Sequence, residues 1–549
     1  MNEAQSSERS LARSSAAMAA GTLVSRLLGF VRTALLAGIV GIGLSGDAFD
    51  VANTLPNQFY LLLAGGVLNA VLVPQITKAA THDDGGHEFV NRLLTLSLTV
   101  VAVATVVVTA LAPLLVRLFS QGWSAETIGL STAFALICLP QVFFYGLYTV
   151  LGQVLNARGQ FAAYMWAPAV ANIVAVGGLV WFARIAPHQP KVSQWTPEMV
   201  WVVAGTATLG VVLQSVALVV PLRRGGFRFR PVWGFRGVGL GSATRVAMWT
   251  FAALAVSQLG FVVTSKVLTR ANDLMTASGV VGAGKAAYSG AFLLFMLPHS
   301  LITLSLVTAL FTRMSNAAHA GDARAVVDDL GRGLRMPAVL LVPGTVAAVL
   351  LGTAAARVAF FRNTDPQAHA IAAVMIAMML GLLPFGWLYL IQRVYYAYED
   401  ARTPFYLQLL VTGVATAVNL VAFVVDPTRA AVLVGVGQTL SNVAAALLGF
   451  WLLRRRFGLL RLRSTVRLYV RLVAASLVGA LVAWPLVLGI GALGLGRFVE
   501  APLQLLAGGG LFLIVVLGLA HLMRVEEVGQ LLDPVLRRVR RRPAAPPTP

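Results

Sequence analysis

Residues 15–43 read SAAMAAGTLVSRLLGFVRTALLAGIVGIG, a run that is long and apolar enough to cross a bilayer once. Two arginines, Arg26 and Arg32, lie within it. A charged side chain at bilayer depth costs about 2.5–3.5 kcal/mol on insertion scales, and such residues normally face a water-filled cavity or a charged ligand. The segment therefore predicts a membrane helix whose two cations bind an anionic passenger.

The rest of the chain has the same apolar character. Of its 549 residues, 58% are apolar and 11% are charged, and the mean hydropathy is +0.80. Such a chain divides into about fourteen spans of about 20 residues each, and no soluble domain fits between them. The predicted fold is an all-α polytopic membrane protein. The approximate centres of the spans are Leu28, Leu63, Val106, Leu139, Ala171, Leu209, Leu254, Leu294, Val346, Leu380, Val414, Ala444, Gly479 and Phe512.

The net charge of +21 is spread over separate loops. Lysine and arginine collect in short cytoplasmic loops, so the clusters predict cytoplasmic termini. The first span is too long and too rich in arginine for a cleaved signal, which predicts an uncleaved first helix. Each basic residue near the surface also attracts anionic lipids by about 1 kcal/mol. Nucleic-acid binding is disfavoured because no aromatic stacking platform lies between the clusters. The clustered residues are Arg223, Arg224, Arg228, Arg230, Arg236, Arg454, Arg455, Arg456, Arg461, Arg463, Arg537, Arg538, Arg540, Arg541 and Arg542.

An internal repeat relates the two halves of the chain. A shift of 244 positions aligns Pro140 with Pro384 and Tyr145 with Tyr389 without a gap. Six spans separate the partners, an even number, so both copies have the same orientation in the membrane. The repeat predicts two parallel six-helix lobes around a central cavity that opens by alternating access, and the last two spans have no partner.

The predicted organisation follows from these patterns. Its parts are a cytoplasmic N-terminus (1–14), an N-lobe of helices 1–6 (15–224), a basic cytoplasmic linker (225–236), a C-lobe of helices 7–12 (237–456), two extra C-terminal helices (464–523) and a basic cytoplasmic tail (524–549).

Four short motifs near the N-terminus resemble a known family. They are SRLLGFVR at 25–32, GDAF at 46–49, LPN at 55–57 and LVP at 72–74. Their order and spacing are similar to the opening of the MurJ (MviN) lipid II flippases, which belong to the multidrug, oligosaccharidyl-lipid and polysaccharide exporter superfamily. The family's two lobes and two extra helices match the repeat and the unpaired spans.

The resemblance implies a transporter and not an enzyme. Its passenger would be undecaprenyl-pyrophosphate-linked peptidoglycan precursor, moved from the inner to the outer leaflet of the bacterial inner membrane for cell-wall biogenesis and cell shape. The cell-wall synthesis machinery is a candidate partner. Two alternatives stay open: an exporter of another polyprenyl-linked saccharide or a drug, and a polyprenyl-phosphate glycosyltransferase that uses Asp47 and Asp50.

The candidate site residues fall into three groups. Arginine donates paired hydrogen bonds to phosphate oxygens and stays protonated, which suits pyrophosphate binding. The alternatives are a structural ion pair of the arginines with Asp47 or Asp50, an N-cap role for Asp47, and simple kinks at the prolines. The predicted substrate-binding residues are Arg26, Arg32, Lys266 and Lys285, the gating or ion-pair residues are Asp47, Asp50, Glu399 and Arg402, and the hinges are Pro56, Pro140, Pro298 and Pro384.

The chain departs from the family pattern at several positions. Tyr60 and Leu61 stand where many members have an arginine, and Leu293 replaces the arginine of the eighth span. Lys285, about two helical turns from Leu293, is the expected substitute. Asn419 matches a proposed sodium ligand of some relatives, but the next turn has no carboxylate. We therefore expect no cofactor, and coupling either to the membrane potential or to a monovalent cation.

Catalytic and metal-binding motifs are nearly absent from the sequence. Residues 279–285 follow a phosphate-loop spacing, but Ala286 replaces the hydroxyl that would hold magnesium. The seven histidines have no metal-ligand spacing. The single cysteine, Cys138, excludes an intramolecular disulfide.

Overall fold

The computed structural model describes residues 2–63, 87–158, 160–227, 229–233, 245–458, 460 and 462–529. Within these ranges the chain is helical and contains no β-strand, which confirms the all-α prediction. Several predicted features lie outside the described residues. They are the second half of the span centred at Leu63, together with Arg228, Arg236, Arg461 and the arginines of the tail.

Twelve described helices are long and apolar enough to cross a membrane. A bent pair, Asp365–Met379 with Leu382–Ala397, raises the number to 13 if it forms one span. These correspond to every predicted span except the second. The described part of the second span is the helix Leu44–Leu63, and the residues that follow it are not described. The described residues therefore give thirteen spans at most, against the fourteen expected.

The chain divides into two compact units. The first comprises Met1–Gly290, Arg362–Ala370 and Pro404–Val434, and the second comprises Ala291–Phe361, Ile371–Thr403 and Gly435–Pro549. The predicted boundaries of the two lobes stay a prediction.

The α-helices of the described residues are Asn2–Ile39, Leu44–Leu63, His87–Ala110, Ala112–Phe119, Ala125–Cys138, Gln141–Ala157, Phe161–Ile185, Pro197–Val200, Thr206–Val216, Val219–Arg224, Arg245–Ala277, Lys285–Pro298, Leu304–His319, Ala323–Ala359, Asp365–Met379, Leu382–Ala397, Arg402–Ala422, Pro427–Phe457, Arg463–Ala492, Arg497–Leu503 and Gly509–Leu522.

Aromatic packing in the first unit fixes the start of the helix Leu44–Leu63. The Phe134 ring meets Phe49 edge-on, with centroids 5.3 Å apart, and meets Trp195 in the same way at 5.0 Å. Trp195 also stacks on Phe182 at 5.2 Å. Offset and edge-to-face pairs of this kind add about 0.5–1.5 kcal/mol each beyond area burial. The aromatic cluster thereby packs against the first two turns of the helix, which carry Asp47 and Asp50.

The long helix Ala323–Ala359 organises the second unit. It packs against Leu304–His319, Leu382–Ala397 and Arg463–Ala492. The Tyr469 hydroxyl donates to the Leu334 carbonyl at 2.8 Å and accepts from the Trp387 indole at 2.8 Å, so three helices meet at one side chain.

Three of the four predicted hinge prolines lie where helices are interrupted. Residues 139–140 separate Ala125–Cys138 from Gln141–Ala157, and Pro384 follows a 46° bend at residues 380–381. Pro298 is followed by a π-helical turn at His299–Thr303. Proline lacks the N–H and its ring clashes with the carbonyl four residues earlier, which explains the breaks at residues 139–140 and 380–381. Pro56 lies within a continuous helix. Movement about these positions stays a prediction.

Two glycines of one C-terminal helix give a matched test of packing. A Cβ atom on Gly479 would lie 2.7 Å from Val516 Cγ2, whereas nothing lies within 4 Å of a Cβ on Gly489. Overpacking costs about 1–3 kcal/mol, so we expect Gly479→Leu to lower the thermal midpoint in detergent and Gly489→Leu to leave it nearly unchanged. Equal midpoints for the two variants would contradict this packing.

Candidate functional site

The helix Asn2–Ile39 carries Arg26 and Arg32 away from its exposed face. Leu23, Leu27 and Val31 form an exposed stripe along this helix. At 3.6 residues per turn, Arg26 lies about 100° and Arg32 about 140° around the helix from Leu27. Both arginines are half-buried. Neither therefore points along the apolar stripe that would face acyl chains.

Neither arginine has a polar partner in the part of the chain that the structure describes. The expected alternative, a structural ion pair with Asp47 or Asp50, is not formed, because both acids have other partners. Two half-buried guanidinium groups thus keep their donors available to a ligand or to water.

The surroundings of Arg32 are rich in tyrosine. Arg32 lies within electrostatic range of Tyr145. The Tyr145 ring packs against Tyr60 with centroids 5.5 Å apart, and the Tyr60 hydroxyl is hydrogen-bonded to Thr149. Tyrosine offers an apolar ring and a polar tip, so these side chains place both apolar surface and hydroxyl groups near Arg32. The sequence marks Tyr60 only as a position where many members of the resembled family have an arginine.

Asp47 is fully buried and joins two distant segments. Its Oδ1 accepts the Ala286 N–H at 2.7 Å, and its Oδ2 accepts the Asn272 amide at 2.8 Å. The residue at the N-cap position of the helix Lys285–Pro298 is Gly284, which has no side chain to cap the helix, and Asp47 supplies the cap from another helix. Asp47 is not the cap of its own helix, because its N–H already bonds to the Gly43 carbonyl.

Lys285 and Asp50, predicted for different roles, form one buried ion pair. Lys285 Nζ lies 2.6 Å from Asp50 Oδ2 and 3.0 Å from Ser289 Oγ, and the Ser289 hydroxyl donates to the same Oδ2 at 2.9 Å. The ammonium also lies 5.2 Å from the centre of the Phe261 ring. The side chains are 2% and 17% exposed, so the lysine is the more deeply enclosed.

The phosphate-loop spacing at residues 279–285 has a different context from a nucleotide site. Lys285 does start a helix, but the segment before it follows a helix that ends at Ala277, and its ammonium is bound by Asp50. A strand precedes the loop in phosphate-loop proteins. The arrangement gives no support to nucleotide binding.

The remaining charged candidates are more open. Lys266 is half-buried and has no polar side-chain partner among the described residues. Glu399 and Arg402 are both exposed. In this loop Asp400 has polar partners. Its Oδ1 accepts the Thr403 N–H at 3.0 Å, and its Oδ2 lies 3.8 Å from a guanidinium nitrogen of Arg456. A gating role for Glu399 and Arg402 stays a prediction.

The position proposed for a sodium ligand is only partly engaged. The Asn419 amide nitrogen donates to Thr264 Oγ1 at 2.9 Å, whereas Oδ1, the atom that would ligate sodium, is buried and has no hydrogen-bond partner in the part of the chain that the structure describes. One turn later, the Phe423 carbonyl accepts a hydrogen bond from Arg270, whose guanidinium also lies 5.5 Å from the Phe423 ring centre. A fixed cation therefore lies one turn from Asn419. Among the described residues, no group of three or more metal-ligating side chains is present.

Sequence reasoning missed the polar residues that complete these networks. Asn272 and Ser289 carry no local signal, since each lies on a helix without a motif. Their roles appear only because residues more than 200 positions apart in the chain come together.

The buried carboxylate of Asp47 gives a direct test of the cap. In Asp47→Ala the Ala286 N–H and the Asn272 amide lose their acceptor, and an unsatisfied buried group costs about 1–3 kcal/mol. We expect a clearly lower thermal midpoint for Asp47→Ala than for Asp47→Asn, which keeps one acceptor oxygen. Identical midpoints for both variants would show that the cap contributes nothing.

The chain matches known flippases over most of its length. The family model described as lipid II flippase MurJ matches residues 36–501, a range that begins just after Arg32. A probable lipid II flippase MurJ of Synechocystis is 24% identical over 552 residues, covering 98% of this chain and 100% of the relative. The lipid II flippase MurJ of Burkholderia cenocepacia is 26% identical and covers 83% of this chain and 86% of the relative.

Solved structures share the fold. A lipid II flippase MurJ in an inward closed conformation superposes with a TM-score of 0.70 at 18% identity, covering 92% of this chain and 99% of the other. An inward-facing multidrug resistance MATE family transporter of the MOP superfamily gives a TM-score of 0.64 at 16% identity, covering 80% of this chain and 96% of the other.

Proposed function

Because the chain belongs to the MurJ family of lipid II flippases, we propose that it moves lipid II from the inner to the outer leaflet of the bacterial inner membrane. It is a multi-pass membrane transporter that serves peptidoglycan synthesis. A glycosyltransferase role for Asp47 and Asp50 is disfavoured, since both carboxylates are engaged by other side chains.

The observation that carries the proposed mechanism is the state of Arg26 and Arg32. Each lies half-buried in a membrane helix without a polar partner among the described residues. Such a charge is expensive in a bilayer unless water or an anion compensates it. The pyrophosphate of lipid II supplies several oxygens for paired hydrogen bonds with guanidinium groups. We assign Arg26 and Arg32 to the pyrophosphate, with Lys266 as a further cation.

The remaining parts of the transport cycle follow the sequence pattern. The arginine-rich loops favour cytoplasmic termini and contact with anionic lipids. Asp47 and Asp50 would then lie at the outer gate, and Glu399 with Arg402 at the cytoplasmic side. Pro140, Pro298 and Pro384 act as hinges at their helix breaks, with Pro56 as a fourth. The cell-wall synthesis machinery stays a candidate partner.

For the driving force we favour the membrane potential over a monovalent cation. The fixed guanidinium of Arg270, one turn from Asn419, repels a second cation at that position. Moving one elementary charge across the membrane is worth about 2.3 kcal/mol per 100 mV, so mobile cavity arginines respond to the potential.

A reconstituted vesicle assay tests the proposed function. Labelled lipid II in the inner leaflet should become accessible to an external enzyme only in vesicles that contain the protein. A parallel set of vesicles contains a different polyprenyl-linked saccharide, and it tests the alternative exporter. Movement of that lipid without movement of lipid II would overturn the assignment. In the host, depletion should leave lipid II in the inner leaflet.

A further inference from the structure

Lys285 was expected to bind substrate, yet in the structure its ammonium is enclosed and bound to a carboxylate. We propose that Asp50 is an internal stand-in for the substrate phosphate: it holds Lys285 while the site is empty and is displaced when a lipid-linked diphosphate binds. This inference rests on the proposed function. It adds a residue that controls when one substrate-binding cation becomes available.

The geometry at Asp50 Oδ2 is that of a bound oxyanion. This oxygen receives the Lys285 ammonium at 2.6 Å and the Ser289 hydroxyl at 2.9 Å. A phosphate oxygen would accept the same two donors in the same positions, since ammonium and hydroxyl groups bind either anion. The Phe261 ring covers the remaining side of the ammonium, at 5.2 Å from the ring centre.

Asp50 differs from its neighbour Asp47 in how firmly it is held. Both oxygens of Asp47 have hydrogen-bond donors, and its side chain is fully buried. Asp50 uses only Oδ2, and within the described ranges no donor reaches Oδ1. Its side chain also keeps 17% exposure, against 2% for Lys285. Asp50 is therefore the member of the pair that a competing anion can reach and replace.

The pair joins two helices, so the exchange changes how they are tied. Asp50 lies on Leu44–Leu63, while Lys285 and Ser289 lie on Lys285–Pro298. While the pair is intact, it ties the first helix to the second beside the Asp47 cap. When a diphosphate takes over the ammonium and hydroxyl, that tie is lost and only the cap remains. Anion binding thereby favours separation at this end of the helices.

The test measures binding of undecaprenyl diphosphate to the purified full-length protein, with undecaprenol as the uncharged probe. We expect Asp50→Asn to tighten binding of the diphosphate by about tenfold, because Lys285 loses its competing anion. Lys285→Gln should weaken binding, and adding Asp50→Asn to it should then have no effect. Asp426→Asn, which removes an exposed carboxylate, is the matched control and should bind like the unmodified chain.

The outcomes separate this inference from the proposed function. Unchanged affinity in Asp50→Asn, with binding still weakened by Arg26→Ala, would overturn the stand-in role and leave the flippase assignment intact. A tightening that persists without Lys285, or that also appears with undecaprenol, would overturn it as well. If no form of the protein binds the diphosphate, both proposals fail. Asp50→Ser serves as the second variant if Asp50→Asn does not fold.

Discussion

Replacing either Arg26 or Arg32 with alanine is expected to abolish growth in bacteria that depend on this protein for lipid II transport. Arg26 and Arg32 each lose the charge-assisted hydrogen bonds that would hold the pyrophosphate, and such bonds are worth about 1.5–3 kcal/mol apiece. A loss of about tenfold to a hundredfold in lipid II affinity follows for each variant. The measurements are complementation of a strain depleted of its own flippase, and lipid II translocation in vesicles.

The controls separate site chemistry from insertion. Arg184 is an exposed arginine in the last turn of the helix Phe161–Ile185, and Arg184→Ala removes the same charge away from the site. We expect that variant to complement normally. Arg32→Lys should keep partial function, because lysine keeps the charge and loses the planar fork. Normal complementation by both Arg26→Ala and Arg32→Ala, with equal protein levels in the membrane, would contradict the assignment of these arginines to the substrate site.

Replacing Lys285 alone should lower the stability of the protein more than replacing Lys285 and Asp50 together. In Lys285→Met the Asp50 carboxylate loses its cation in a largely enclosed place, and breaking a buried pair in this way costs about 3–5 kcal/mol. The double variant Lys285→Met/Asp50→Leu removes both charges and should recover most of that loss. The thermal midpoint of the purified protein in detergent measures both effects.

An ion pair whose cation is exposed gives the comparison. Arg313 is 59% exposed and pairs with the buried Asp329, which keeps a second exposed partner in Arg332. Exposed pairs contribute about 0–1 kcal/mol, so Arg313→Met should change the midpoint little. If Lys285→Met and Arg313→Met behave alike, or if the double variant is no better than Lys285→Met, the pair is not buried as described.

Much of the fold was accessible from the sequence because bilayer spans are defined by length and hydropathy alone. The repeat also pointed to the breaks near Pro140 and Pro384, since a proline removes a helical hydrogen bond, although Pro56 lies within a continuous helix. Arg26 and Arg32 could be singled out for a similar reason, because a charge inside an apolar run is conspicuous. These are local properties of the chain, and they do not require knowledge of its partners.

The pairing of the other candidates was not accessible in this way. The sequence predicts a substrate-binding role for Lys285 and a gating or ion-pair role for Asp50, and 235 positions separate them in the chain. Nothing in either neighbourhood indicates that they meet. The sequence likewise suggests that Asp47 caps its own helix, whereas in the structure it caps the helix Lys285–Pro298, which begins more than 200 residues later in the chain. Tertiary contacts of this kind depend on how the helices pack, which a single sequence does not encode in any short pattern.

The cap that Asp47 gives to the helix Lys285–Pro298 also constrains biogenesis. The two partners are 239 residues apart, so more than two hundred residues must be synthesised before the Asp47 carboxylate meets the N–H group that donates to it. At translation rates of about 5–20 residues per second, this delay lasts roughly 10–50 s. During that interval the Asp47 carboxylate lacks the two donors that hold it in the folded chain.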